Sequence, residues 1–95
     1  MLTTGQYRVY AGDVPQELID VTVMESGHVN IDGPLWRGVG DIDDGKYDGS
    51  FADKNDDATG GHEATISNGM LVVAAHFDGV AEPIRLTWRR EACES

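Results

Sequence analysis

Apolar and polar residues alternate along most of this chain, and turn-forming residues interrupt the alternation at short intervals. In the stretch ELIDVTVME, for example, Ile19, Val21 and Val23 alternate with Asp20 and Thr22. A period of two is typical of strands that bury one face, and no segment keeps the longer period of a helix. The pattern therefore predicts an all-β, antiparallel domain.

Short strands joined mostly by tight turns indicate an up-and-down meander. The strongest turn signal is Asn68-Gly69, because both residues tolerate the positive φ that a type I′ hairpin turn requires. The meander is expected either to close into a small barrel or to remain a half-barrel that a second subunit completes. Eight strands are predicted, over residues 6–11, 17–25, 28–32, 35–42, 46–52, 62–67, 70–79 and 84–91.

Two glycines, Gly38 and Gly40, lie on the same face of the fourth predicted strand. Glycines so placed mark a bend, a bulge or close packing beneath a bulky neighbour, as at the corners of small barrels. The seventh predicted strand, 70–79, is apolar on both faces, which favours a central position or a closed barrel.

With 95 residues, the chain is predicted to form a single domain, 1–95, with a thin core. The only cysteine is Cys93, so no disulfide within the chain is expected, which fits a reducing compartment. The N-terminus lacks a signal-peptide pattern, and no window approaches the ~20 apolar residues of a membrane span. We therefore expect a cytoplasmic protein that does not bind membranes.

The formal charge of −10 changes the range of expected partners. Seven aspartates and two lysines lie between Asp41 and Asp57, whereas Arg85, Arg89 and Arg90 lie in the last predicted strand. Because such an acidic chain repels phosphate backbones, direct binding to nucleic acid is not expected. The charge favours a basic protein partner, or it serves solubility alone.

The acidic loop between the fifth and sixth strands has part of a calcium-binding pattern. Asp53, Asn55 and Asp57 have the spacing at which alternate side chains converge on a hard cation. Ala58, however, stands where the calcium loop needs glycine, and Glu63 comes one position too early to close the site. A solvated connection is the favoured interpretation, and no metal is expected.

Catalytic patterns are missing from the sequence. His28, His62 and His76 share no ligand spacing, and no serine lies in a glycine elbow or beside a histidine. The glycine-containing stretch GVGDIDDG is followed by a strand and by aspartates that would repel phosphate. The sequence therefore predicts a non-enzymatic protein without a cofactor.

Aromatic residues on the inward faces allow two interpretations. Trp36, Tyr47 and Trp88, together with Phe51, either line a ligand cavity inside the barrel or fill its core. The second interpretation needs no ligand.

Three stretches in order resemble the family of the small type III secretion regulator GrlR. They are GQY (5–7), SGHVNIDG (26–33) and YDGSFADKNDD (47–57), in which Tyr47 and Gly49 carry the match. The resemblance implies a lipocalin-like barrel that dimerises, has no catalytic activity and represses transcription by binding an activator protein.

In that family an acidic tetrad is implicated in the partner contact. By position it falls on Asp53, Lys54, Asn55 and Asp56, of which only the outer two are acidic, and Asp57 is a substitute. The leading hypothesis is therefore a homodimeric regulator that binds a basic partner protein through Asp53, Asp56 and Asp57. The alternatives are a small-molecule carrier and a phage-type acidic inhibitor that imitates nucleic acid.

Overall fold

The computed structural model describes residues 2–55 and 57–91, so the predicted partner residue Asp56 and the cysteine Cys93 lie outside the described residues. The chain forms an all-β closed barrel in which each strand pairs antiparallel with its neighbours in sequence order. The strands are β1 (Gly5–Ala11), β2 (Val14–Val23), β3 (His28–Asp32), β4 (Trp36–Asp43), β5 (Lys46–Asp53), β6 (Thr59–Ser67), β7 (Met70–Phe77) and β8 (Ile84–Arg90).

The barrel closes through pairing between its first and last strands. Val9 of β1 lies opposite Trp88 of β8, and Tyr7 lies opposite Arg90. Since this ladder leaves no open sheet edge, a single chain completes its own barrel, and the half-barrel alternative is not what the structure shows. The predicted homodimer stays a prediction.

Two strands begin three residues earlier than their sequence patterns predict. β2 starts at Val14 and pairs with β1 through a bulge, where Leu18 lies opposite Arg8 but Pro15 lies opposite Tyr10. Proline has no amide hydrogen to donate, so its place beside an irregular part of the ladder is physically reasonable. β6 starts at Thr59, three residues before the predicted start.

The hairpin turns follow the chemistry of their residues. Asn68 and Gly69 both have positive φ, 53° and 75°, which confirms the predicted type I′ geometry. Asp44 and Gly45 repeat it between β4 and β5, with φ of 53° and 74°.

The core lies inside the barrel, and the N-terminal segment closes one end of it. Leu2 is 4% exposed and belongs to the core cluster. The Tyr7 hydroxyl donates to the Thr3 carbonyl at 2.7 Å, and the Thr4 hydroxyl accepts from the Val23 amide at 2.9 Å. A ligand would therefore enter the barrel at the opposite end, where the loops after β1, β3, β5 and β7 lie. Among the described residues, no helix has the length and apolar character needed to cross a membrane.

Candidate ligand cavity

A cavity of about 320 Å³ lies in the mouth of the barrel at this opposite end. Its lining comes from the C-terminal ends of β1, β5 and β7 and the N-terminal parts of β2, β4, β6 and β8, because these ends meet at one rim of an up-and-down barrel. This volume is at the lower end for ligand sites and suits a small molecule. The large apolar side chains that line it are Trp36, Phe51, Phe77, Ile84, Leu86 and Trp88.

The aromatic rings of this lining form one connected cluster. The ring centroids of Trp36 and Trp88 are 5.8 Å apart, and those of Trp36 and Phe51 are 6.1 Å apart. Phe51 also meets Phe77 edge to face at 5.0 Å. Such separations are those at which aromatic pairs stabilise one another, so the cavity walls hold their shape without a ligand.

Inward-facing glycines make the space that these rings occupy. A Cβ atom on Gly38 would lie 3.2 Å from the Trp36 ring, and one on Gly60 would lie 2.7 Å from the Phe51 ring. On Gly49 it would lie only 2.4 Å from the hydroxyl of Tyr47. For glycines on this face of β4 the sequence allowed a bend, a bulge or close packing beneath a bulky neighbour. The contacts of Gly38 show close packing.

A buried histidine–tyrosine pair lies at the inner end of the cavity. His62 is 2% exposed, and its Nε2 lies 2.6 Å from the Tyr47 hydroxyl, which donates to it in the Nδ1-protonated tautomer. Burial lowers the pKa of His62 to about 4, because the charged imidazolium would lose its hydration. Burial likewise raises the pKa of Tyr47, to which the neighbouring Asp48 and Asp41 add. Both side chains are therefore neutral near pH 7.

The sequence interpretation did not single out His62, since it considered the three histidines only as metal ligands and found no ligand spacing among them. The signal that marks it is its position on β6, where it shares the inward face with Gly60 and Ala64. A histidine on the apolar face of a barrel strand needs a partner, which here comes from β5.

Two carboxylates lie among the aromatic residues of the lining. Glu17 Oε2 accepts a hydrogen bond from the Trp36 indole at 2.9 Å, and Asp53 Oδ1 accepts one from the Asn55 amide at 2.8 Å. Both donors are neutral. Among the described residues, no lysine or arginine lines the cavity, and the ion pairs involve neither Glu17 nor Asp53.

Trp88 differs from Trp36 in that its indole N–H has no acceptor among the described residues. Among the described residues, the indole Nε1 of Trp88 is the buried side-chain donor without a hydrogen-bond partner. A buried donor without an acceptor costs roughly 1–3 kcal/mol, and a water molecule or a ligand oxygen that reached it would remove that cost.

The residues predicted to line a cavity divide into two groups. Trp36 and Trp88 lie in its lining. Tyr47 does not: it is 1% exposed and packs against His62 and Trp88, with ring centroids 5.0 and 6.3 Å away. Tyr47 therefore supports the inner end of the cavity from below.

The residues predicted to bind a partner protein lie in different surroundings. Asp53 is half-buried and lines the cavity, whereas Asp57 is exposed in the loop between β5 and β6. Lys54, between them, pairs with Asp32 at 2.8 Å, and this contact lowers the pKa of the Asp32 carboxyl. The acidic loop is thus not one continuous negative surface.

The calcium-like spacing has a structural explanation of its own. Asp53 accepts from the amide two residues later, which is the hydrogen bond of an Asx turn. Within residues 2–55 and 57–91, no three histidine, cysteine, aspartate or glutamate side chains are grouped as metal ligands.

The function of this cavity has to be inferred from its own chemistry. Three properties bear on the ligand class: the apolar walls, the small volume, and two carboxylates that form no ion pair with a described residue. No family model, no curated protein and no solved structure matches this chain.

Proposed function

We propose that this protein is a non-enzymatic binding protein that holds a small molecule in the mouth of its barrel. The observation that carries the proposal is the cavity of about 320 Å³, lined by both tryptophans of the chain and open at one end. Mouths of β-barrels are common ligand sites, and apolar walls with a few convergent polar groups are their usual composition.

The rim of the cavity is preorganised. The Lys54 amide donates to the Leu35 carbonyl at 2.8 Å, which joins the loops that follow β3 and β5. Within each loop, the Asp53 amide donates to the Ala58 carbonyl and the Gly33 amide to the Trp36 carbonyl, both at 2.9 Å. A fixed rim reduces the entropy lost on binding, which favours a ligand-binding role.

The neutral fluorescent probe N-phenyl-1-naphthylamine tests this proposal. We expect its emission to rise on binding, and we expect Ala75→Phe to weaken binding by at least about tenfold, because Ala75 lines the cavity and a phenyl group would fill it. Ala74→Phe is the matched control, since Ala74 is the adjacent residue on the outer face of β7. Circular dichroism checks that each variant folds.

If Ala75→Phe fails to fold, Ile84→Phe replaces it, because Ile84 lines the cavity and is already 46% exposed at its mouth. The proposal is wrong if the probe does not bind, or if the inward and outward variants weaken binding equally.

A second candidate is the regulator predicted from the acidic charge and the GrlR-like resemblance. Its support is a row of like charges on the outer face, where Asp41 lies opposite Asp48 and Asp48 opposite Glu63. Directly opposed like charges destabilise a sheet, and a basic partner protein would offset that cost. In this proposal the protein is a dimer, and the exposed Asp57, in the loop at the other end of β5, adds a further negative charge.

This candidate predicts a salt-sensitive complex with a basic protein. Immobilised protein would be exposed to an extract of its source cells, and the affinity of any retained protein measured at low and high salt. We expect binding to weaken with salt and with Asp57→Asn, which removes loop charge outside the cavity lining. Retention that neither salt nor the variant changes would contradict this candidate.

A further inference from the structure

The cavity lining also indicates the chemical class of the ligand, an inference that rests on the proposed ligand-binding function. We propose that the cavity binds a small organic cation, such as an alkylated ammonium group attached to an apolar moiety. The aromatic walls and the two carboxylates of the lining recognise the positive charge together.

The aromatic walls supply the first part of this recognition. Rings of Trp36, Phe51, Phe77 and Trp88 line the cavity, and tryptophan is the most effective aromatic partner for a cation. Trp36 and Trp88 are tilted by 36° to each other, whereas Trp36 and Phe51 meet at 71°. A ligand in the cavity is thus surrounded by rings in several orientations. A desolvated cation among aromatic rings is attracted by the negative faces of their π systems.

Glu17 and Asp53 supply the second part. Each is hydrogen-bonded to a neutral N–H donor, and neither forms an ion pair with a described lysine or arginine. Negative charge at a concave site with apolar walls is concentrated toward the interior and attracts cations. Because their bonds are to Trp36 and Asn55, these carboxylates are held in place before a ligand arrives.

The remaining titratable side chain of the lining does not oppose a cation. His62 is neutral near pH 7 because burial lowers its pKa to about 4, and Tyr47, which supports it, stays protonated. An anionic ligand would meet two carboxylates and, among the described residues, no lysine or arginine in the lining. A metal ion would lack ligands, since no three suitable side chains converge among the described residues. An organic cation is the class that fits both the apolar and the charged parts.

A series of three probes of one shape tests this inference. Phenyltrimethylammonium is the cation, tert-butylbenzene its neutral counterpart, and benzenesulfonate the anion. Each would be tested as a competitor that displaces N-phenyl-1-naphthylamine from the protein. We expect the cation to bind at least about tenfold more tightly than the neutral probe, with no displacement by the anion.

The double variant Glu17→Gln/Asp53→Asn removes both charges and keeps the side-chain size and the acceptor oxygens. We expect it to reduce the preference for the cation to under about threefold while N-phenyl-1-naphthylamine still binds. Asp13→Asn is the control, because Asp13 is exposed in the turn after β1, at the same end of the barrel but outside the lining.

The outcomes separate the two proposals. If the neutral probe binds as tightly as the cation, the inference is overturned while the ligand cavity stands. A cation preference that survives in the double variant would overturn the role assigned to Glu17 and Asp53. If neither N-phenyl-1-naphthylamine nor any probe of the series binds, the proposed ligand-binding function fails as well.

Discussion

Replacing Gly60 by alanine is expected to destabilise the barrel by on the order of 3 kcal/mol, whereas the same change at Gly61 should alter the free energy of unfolding by less than about 0.5 kcal/mol. A Cβ atom on Gly60 would lie 2.2 Å from the His76 carbonyl oxygen and 2.7 Å from the Phe51 ring. On Gly61 the nearest atom would be 3.5 Å away, an ordinary contact. The two glycines are adjacent in β6, so strand position and composition are matched.

The clash at Gly60 is difficult to relieve because its closest contact is main chain. His76 pairs with Gly61 in the β6–β7 ladder, and a shift of its carbonyl would disturb that pairing. Adding Phe51→Leu to Gly60→Ala would ease only the ring contact and is not expected to restore stability. Urea denaturation followed by circular dichroism measures all variants. Equal midpoints for Gly60→Ala and Gly61→Ala would show that the close packing in this barrel does not limit its stability.

The same glycines show how far the sequence predicts the fold. Alternating apolar residues predicted the strands and, where the alternation is clear as in β2, the inward face, because a period of two depends only on local geometry. The start of β6 was predicted too late, since Gly60 and Gly61 have low strand propensity and no side chain to show an alternation. Their partners, Phe51 and Ser50 on β5, become known only from the register of the closed barrel.

The candidate site was predictable only in part, for a related reason. The inward positions of Trp36, Tyr47 and Trp88 allowed either a cavity or a filled core, and the structure places Tyr47 deeper than the two tryptophans of the lining. Depth along a barrel depends on the stagger between strands, which is a non-local property. Glu17 and Asp53 were not recognised as cavity residues because acidic side chains near strand ends resemble ordinary solvated positions. Only closure of the barrel places both among the aromatic side chains.

Acidification is expected to destabilise the protein by roughly 3 kcal/mol between pH 6.5 and about 4 through His62 alone. In the unfolded chain this histidine has its ordinary pKa of 6.5, whereas in the barrel burial lowers the pKa to about 4. Well above pH 6.5 the side chain is neutral in both states, so its contribution to the free energy of unfolding is constant. As the pH falls below 6.5, the unfolded state takes up a proton that the folded state does not, and the free energy of unfolding decreases.

The variant His62→Gln removes this titration and retains a group that can hydrogen-bond to the Tyr47 hydroxyl. We expect its free energy of unfolding, measured by urea denaturation at several pH values, to change less than that of the wild type between pH 6.5 and 4. His76→Gln is the control, because His76 is exposed on the outer face of β7. If the glutamine variant does not fold, an NMR titration of the wild type gives the same test: a His62 imidazole that titrates near pH 6.5 in the folded protein would show that burial does not hold it neutral.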